Sequence, residues 1–179
     1  MKKNAEECSS IICMKINNAE EFFNSFDPSQ VEEKTIREDV ESYLFDRIEN
    51  IPDSNTVCIN LSLPKTFPYS KEQIHTAIKN HFSNKIILLI NNIKKESRTR
   101  AKDFALGLMF LALCLAAAHF FHSNAYDYPF FKVLGESASI IGWVAIWDPA
   151  AYFLYQKRKD KKNLSKYYML QQAQINVNY

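Results

Sequence analysis

The sequence predicts an α-rich α+β membrane protein: a small cytoplasmic strand–helix–strand domain whose last, long helix continues into a transmembrane helical hairpin. Three observations predict it. From Phe104 to Phe121 no residue is charged, and Leu, Ala, Phe and Met fill almost every position. A second apolar run follows from Val133 to Tyr155. Ahead of both, Thr56 to Leu63 alternates apolar and polar with period two, the mark of a half-buried strand.

The first run has the length to cross a bilayer core about 30 Å thick, which takes about 18 or more apolar residues. The second is long enough too, at about 35 Å if fully helical, although it carries Glu136, Ser137, Ser139, Asp148 and Pro149. The flanks favour two spans, about 103–122 and 133–155. Lys94, Lys95, Arg98, Arg100 and Lys102 crowd the entry to the first run. Lys157, Arg158, Lys159, Lys161, Lys162 and Lys166 crowd the exit of the second, and only Lys132 is basic between them. Positive charge stays on the cytoplasmic side, so both clusters belong inside and the Ser123–Lys132 loop outside. A single span with a re-entrant second segment would put one cluster on the wrong side. The net charge of +2 averages a mildly acidic N-terminal part with these basic flanks, which set topology and suit anionic head groups.

In chain order, residues 1–10 are polar and read as frayed. Ile11 to Ile16 reads as a short strand. Phe22, Phe23 and Phe26 read as an aromatic core knot. Asp27-Pro28-Ser29-Gln30 has the form of a helix start with a capping box. Ile36, Val40, Tyr43 or Leu44, Arg47 or Ile48, and Ile51 then recur at helical spacing, with Glu32, Glu33, Arg37, Glu38, Asp39 and Glu41 on the wet face. Pro52 to Asn55 turns the chain into the 56–63 strand, with Val57, Ile59, Leu61 and Leu63 on one side. Strand, helix, strand is compatible with a parallel crossover; two strands make a poor sheet, which other subunits or the next helix must cover. Ser70 and Gln73 form a second capping box. Ile74, Ala77, Ile78, Phe82, Ile86, Leu89, Ile90 and Ile93 follow on one face, and no Gly or Pro interrupts the chain from Ser70 to Asp103. One long helix, or two nearly collinear ones, is expected to enter the first span. The division is therefore 1–69 cytoplasmic domain, 70–102 connecting helix, 103–155 hairpin and 156–179 basic cytoplasmic tail.

The apolar run Ile11–Met14 is too short for a signal-peptide core, so the N-terminal domain is expected to stay in the cytoplasm. Cys8, Cys13, Cys58 and Cys114 form no C-x-x-C pair, which suggests reduced thiols with neither a disulfide framework nor a zinc site.

No catalytic constellation is present, and no cofactor or metal is expected. The three glycines, Gly107, Gly135 and Gly142, all lie in the apolar runs, which excludes a Gly-rich phosphate loop in the N-terminal domain. His75 and His81 are six apart and take different helix faces, suiting surface or interface roles. His119 and His122 sit near the outer end of the first span as interfacial anchors; with Glu136 at similar depth, a His–Glu pair is an open alternative. Asp148, placed slightly inward of the middle of the second span, either lines a water-filled path or caps a helix broken at Pro149 against another subunit. Ser139 joins these as an intramembrane polar candidate. Gly107 and Gly142 permit close helix packing. Two helices enclose no hydrated path alone, so a pore would need a homo-oligomeric ring.

Several segments carry a resemblance: Ser139-Ile140-Ile141-Gly142-Trp143-Val144-Ala145-Ile146-Trp147 followed by Pro149, with Phe26-Asp27-Pro28-Ser29 and Val40-Glu41-Ser42-Tyr43-Leu44. The chain resembles a family of small bacterial membrane proteins, and among them the accessory proteins encoded beside the RNA-guided RNA nuclease in type VI-B CRISPR loci, over about Phe22 to Lys166. The resemblance implies a non-enzymatic, homo-oligomeric inner-membrane pore that strengthens antiphage defence by the nuclease and depolarises the membrane on target sensing, with the nuclease as functional partner, lipids around it and no DNA contact. Its alternatives are a scaffold tethering the nuclease and a HEPN-like ribonuclease, whose Arg-then-His motif is missing: none of the four histidines has an Arg in the six residues before it.

Overall fold

The computed structural model describes residues 9–53, 55–123 and 130–179. The N-terminal residues expected to fray, Cys8, Ser54 and most of the expected outer loop lie outside the described residues. The chain divides into two compact units. One, the sheet unit, holds the chain up to Ile90 together with Lys162–Tyr179; the other, the hairpin unit, is Asn91–Lys161. These cut the chain differently from the sequence division, because the tail returns to the first unit.

The sheet unit is built on three parallel strands, β1 (Ser10–Lys15), β2 (Val57–Ser62) and β3 (Gln174–Asn178), in the order β1-β2-β3. Both expected strands form, within a residue of their expected ends. The register aligns Ile12, Ile59 and Ile175 in one row and Met14, Leu61 and Val177 in the next. These rows face a core completed by Phe22 and Phe23, Leu44 and Ile48, Ile74, Ile78 and Phe82, and Leu170. The third strand was not expected from sequence. It covers the open edge of β2 with the chain's own tail, where another subunit or a helix had been anticipated.

Around the sheet lie α1 (Ala19–Phe22), α2 (Glu38–Ile48), the start of α3 (Lys71–Ser123) and the end of α5 (Lys157–Gln172). α3 is the single long helix that the uninterrupted periodicity predicts, and its Ser70–Gln73 capping box closes reciprocally: Ser70 N–H donates to Gln73 Oε1 at 3.0 Å and Gln73 N–H to Ser70 Oγ at 3.2 Å.

Four expectations in this unit are corrected. Asp27-Pro28-Ser29-Gln30 does not start a helix. Asp27 instead accepts from Ser29 N–H at 3.0 Å, Thr35 N–H at 2.7 Å and Thr35 Oγ1–H at 2.6 Å. These bonds close a loop ahead of a bridge between Phe23 and Ile36, and hold the Asp27 carboxyl well below the usual range. Only one 3₁₀ turn, Val31–Glu33, forms before α2 begins at Glu38. Phe26 is 95% exposed, because that loop turns it outward; Phe22 and Phe23 alone enter the core. Glu41, expected on the wet face, is buried: α5 packs over the flank of α2 that a lone amphipathic helix would show to water. Cys58 is disulfide-bonded, against the expectation of reduced thiols, while Cys13 and Cys114 are free. Sequence spacing reports adjacent cysteine pairs only, whereas a fold joins cysteines from distant positions.

In the hairpin unit, α3 continues to Ser123, and α4 (Phe130–Ala151) runs through a π-helical turn (Tyr152–Gln156) into α5. Two helices are long and apolar enough to cross a membrane, Lys71–Ser123 and Phe130–Gln172. Their most apolar windows are only 17% and 11% buried within the chain. Leu106, Met109, Leu113, Ile140, Val144 and Leu154 are all largely exposed, an apolar surface that water alone does not tolerate over such an extent.

Candidate functional site

α3 and α4 meet along a seam of small residues. Gly135, Gly142 and Pro149, seven apart, are the buried residues of α4. A Cβ at Gly142 would lie 2.9 Å from both Cys114 Cβ and Leu111 Cδ1, and one at Gly135 would strike the His122 ring. A Cβ at Gly107 would lie 3.1 Å from the Ala145 carbonyl oxygen. That carbonyl is the one whose i+4 donor Pro149 removes. Gly107 thus admits a carbonyl that its own helix leaves without its usual partner, and a π turn follows at Tyr152–Gln156. Such small-residue contacts bring helix backbones together in apolar surroundings. The close packing expected at Gly107 is made against Ala145.

The seam also fixes which residues stand level. Gly135 faces Ala118 and His122, Gly142 faces Leu111 and Cys114, Ala145 faces Gly107, and Asp148 faces Arg100. Asp148 was expected inward of the middle of an apolar span. It is instead level with Arg100, outside the 103–122 run, and Arg100 Nη1 donates to its Oδ2 at 2.6 Å. The Arg100 guanidinium lies 5.6 Å from the Tyr152 ring centroid, in cation–π range, and the Tyr152 hydroxyl is 3.4 Å from Ser97 Oγ. The Asp148 side chain is still 82% exposed. Helix count from the outer end misplaces it because α4 is longer than its partner's apolar stretch: the Pro149–Tyr155 segment packs beside the polar part of α3.

One flank of the hairpin therefore gathers polar groups. Glu96, Arg100, Asp148, Tyr152, Tyr155 and Gln156 line its polar end. The groove continues between Asp103, Leu106, Gly107, Phe110, Leu113, Ala145 and Pro149. The remaining expected polar residues do not join them. Glu136 and His119 are exposed, and Glu136 makes no ion pair with either histidine among the described residues. The His122 ring Nδ1 stands 3.0 Å from the Ala118 carbonyl on its own helix, and Ser139 Oγ–H donates to the Gly135 carbonyl at 3.1 Å. Lys94, Lys95, Arg98, Lys102, Arg158 and Lys159 are exposed; Lys157 lies over the Phe153 ring at 5.6 Å.

The sheet unit holds a second polar cluster, which the sequence did not reveal. Glu41 of α2 accepts from Lys85 Nζ at 2.8 Å and Tyr167 Oη at 2.7 Å on Oε1, and meets His81 Nε2 at 3.3 Å on Oε2. Ile36 N–H donates to His81 Nδ1 at 3.2 Å, so that nitrogen is the acceptor and Nε2 carries the proton toward Glu41. His81, expected at a surface or interface, is enclosed in this network with its side chain 7% exposed; His75 is exposed. Burial pushes the Glu41 carboxyl up, but hydrogen bonds from His81, Lys85 and Tyr167 outweigh it and hold it down to about 2. Burial, and then the Glu41 acceptor, push the Tyr167 phenol above its usual range. Nearby, Lys166 is buried and donates to Asp53 Oδ1 at 2.6 Å and to the Ile51 carbonyl. Read in sequence as part of a solvated basic exit, Lys166 anchors α5 to the turn before β2. Among the described residues no group of three or more His, Cys, Asp or Glu side chains is placed to hold a metal ion.

No protein-family model, no curated protein and no solved structure matches this chain.

Proposed function

We propose that the chain crosses the bacterial inner membrane twice, with both termini in the cytoplasm, and assembles with copies of itself into a pore that depolarises the membrane. On the resemblance set out above, the trigger is target sensing by an RNA-guided CRISPR RNA nuclease, whose antiphage defence the pore strengthens; the protein has no enzymatic step of its own. The observation that carries the two-span topology is the sheet. β1 precedes the hairpin, β3 follows it, and both pair with β2, so any bilayer the chain enters must be crossed an even number of times. That pairing supports two crossings over a single span with an interfacial second segment.

The closed seam supports assembly between copies. Gly107, Gly135 and Gly142 leave no width between α3 and α4, so a hydrated path has to lie between chains. Within the 103–122 run the flank with the groove carries Asp103, a group that acyl chains solvate poorly, and in such an assembly it faces protein or water. The ribonuclease alternative loses His81, which is buried against Glu41.

The test is membrane potential, read with a voltage-sensitive dye in cells carrying this protein and the nuclease, with and without target RNA. Depolarisation that needs both the protein and the target is the expected result. An unchanged potential with protection intact overturns the pore and leaves the tethering scaffold.

A further inference from the structure

Exposed polar groups of opposite kind lie on opposite flanks of the hairpin. Asp103 makes no ion pair or side-chain hydrogen bond among the described residues, and Asp148 is 82% exposed beside it in the groove. These are acceptors. On α4, Trp143 and Trp147 are 57% and 72% exposed. Their indole N–H groups are donors and have no hydrogen-bond acceptor among the described residues. With 3.6 residues per turn, Trp143 and Trp147 fall on one stripe of α4, and Ala145 and Asp148 on a different one, toward the groove.

The levels also match. Ala145 stands opposite Gly107 and Asp148 opposite Arg100, which puts Trp147 at the height of Ala101 to Ala105. Gly142 stands opposite Leu111 and Cys114, which puts Trp143 at the height of Phe110 to Leu113. Rotation about an axis along the helices keeps each residue at its own height. A ring of copies therefore brings the Trp stripe of one chain to the part of the next chain's groove that is apolar on its walls and carboxylate at its end.

We propose that the groove lined by Asp103, Leu106, Gly107, Phe110 and Pro149 is a docking site for a second copy of this chain, which inserts Trp143 and Trp147 with an indole N–H directed at the Asp103–Asp148 carboxylates. The proposal rests on the self-assembly argued above and adds its geometry. The contact is head-to-tail, since groove and stripe are different surfaces, and such contacts close into rings when the rotation allows. The polar end of the furrow, at Glu96, Arg100 and Gln156, stays outside the contact and wet. Trp is the residue type that most often dominates such contacts.

The test uses full-length chain in native membranes, with Cys13→Ser and Cys114→Ala as background. Trp147→Cys and Leu106→Cys are introduced singly and together, then oxidised. The expected result is a ladder of covalent species beyond the dimer from the double variant, and none from either single variant. Dimers from Trp147→Cys alone would mean that the stripes face each other, and would overturn the head-to-tail contact. Absence of cross-links in the double variant, with assembly intact by size after mild detergent extraction, would leave the Trp stripe facing lipid and overturn the docking site. A background protein that is monomeric in the membrane would instead sink self-assembly itself. Trp147→Phe, which keeps the ring and removes the donor, is expected to assemble less completely than the background; equal assembly would remove the indole–carboxylate contact.

Discussion

Replacing Glu41 by Ala tests whether the polar cluster of the sheet unit holds its three helices together. Glu41 lies on α2, His81 and Lys85 on α3, and Tyr167 on α5, so one carboxylate joins elements more than a hundred residues apart. Its fall from 4.5 to about 2 on folding corresponds to about 3 kcal/mol at about 1.36 kcal/mol per pH unit. A comparable figure follows from truncating one partner of a buried charged network, about 3–5 kcal/mol, reduced because Lys85 is 37% exposed. The sign is that of a depressed carboxyl: the stabilisation is full above 4.5 and is lost as pH falls from there through about 2. Tryptophan fluorescence would miss the change, since Trp143 and Trp147 both lie in the hairpin. Amide hydrogen exchange of the full chain in detergent at pH 7 reads it directly. Amides of α2 and of Tyr167–Gln172 are expected to exchange about a hundredfold faster, since about 1.4 kcal/mol is tenfold. Glu41→Gln, which keeps an acceptor but loses the charge, should fall between. Exchange within about threefold of the original chain in Glu41→Ala would refute the argument, because nothing else then relieves three donors of their shared acceptor.

Other outcomes follow from the same contacts. Lys166→Met should unfold the sheet unit at a temperature close to that of the original chain, while Asp53→Ala should lower it, because the second variant strands a buried ammonium; limited proteolysis on heating separates the two. Gly142→Leu should separate α3 from α4, at a cost of about 1–3 kcal/mol or more for overpacking, since even a Cβ meets Leu111 and Cys114; loss of energy transfer between dyes at residues 106 and 147 would report it. Removing residues 174–179 should leave membrane insertion unchanged but make the chain before α3 protease-sensitive, because β2 loses its partner along Cys58–Ser62 and the bond from Leu63 N–H to the Asn178 carbonyl.

Much was legible from local pattern. A short apolar run marked β1, period two marked β2, two capping residues marked the start of α3, and apolar composition marked the hairpin helices, because those signals arise within a few residues of one another. The same logic failed at Asp27, where a cap-like tetrapeptide spends its carboxylate on Thr35 eight residues away and ends in a loop. It failed for β3 because Ile175 and Val177 are only two apolar residues in a polar tail, too short a run to weigh against its surroundings.

The first two strands, the unbroken run of α3, the apolarity of the two long helices and the small residues that let those helices touch could all be read from the sequence. Which distant groups meet was set by packing in three dimensions. Tail and head share one sheet, Glu41 and His81 turn inward, Lys166 is buried on Asp53, and Asp148 finds Arg100 rather than a histidine. The physical reason is range. Propensity, periodicity and caps are set by neighbours along the chain, whereas the burial of a charge is set by what packs over it. For Glu41 that cover is α5, which lies more than a hundred residues further along the chain.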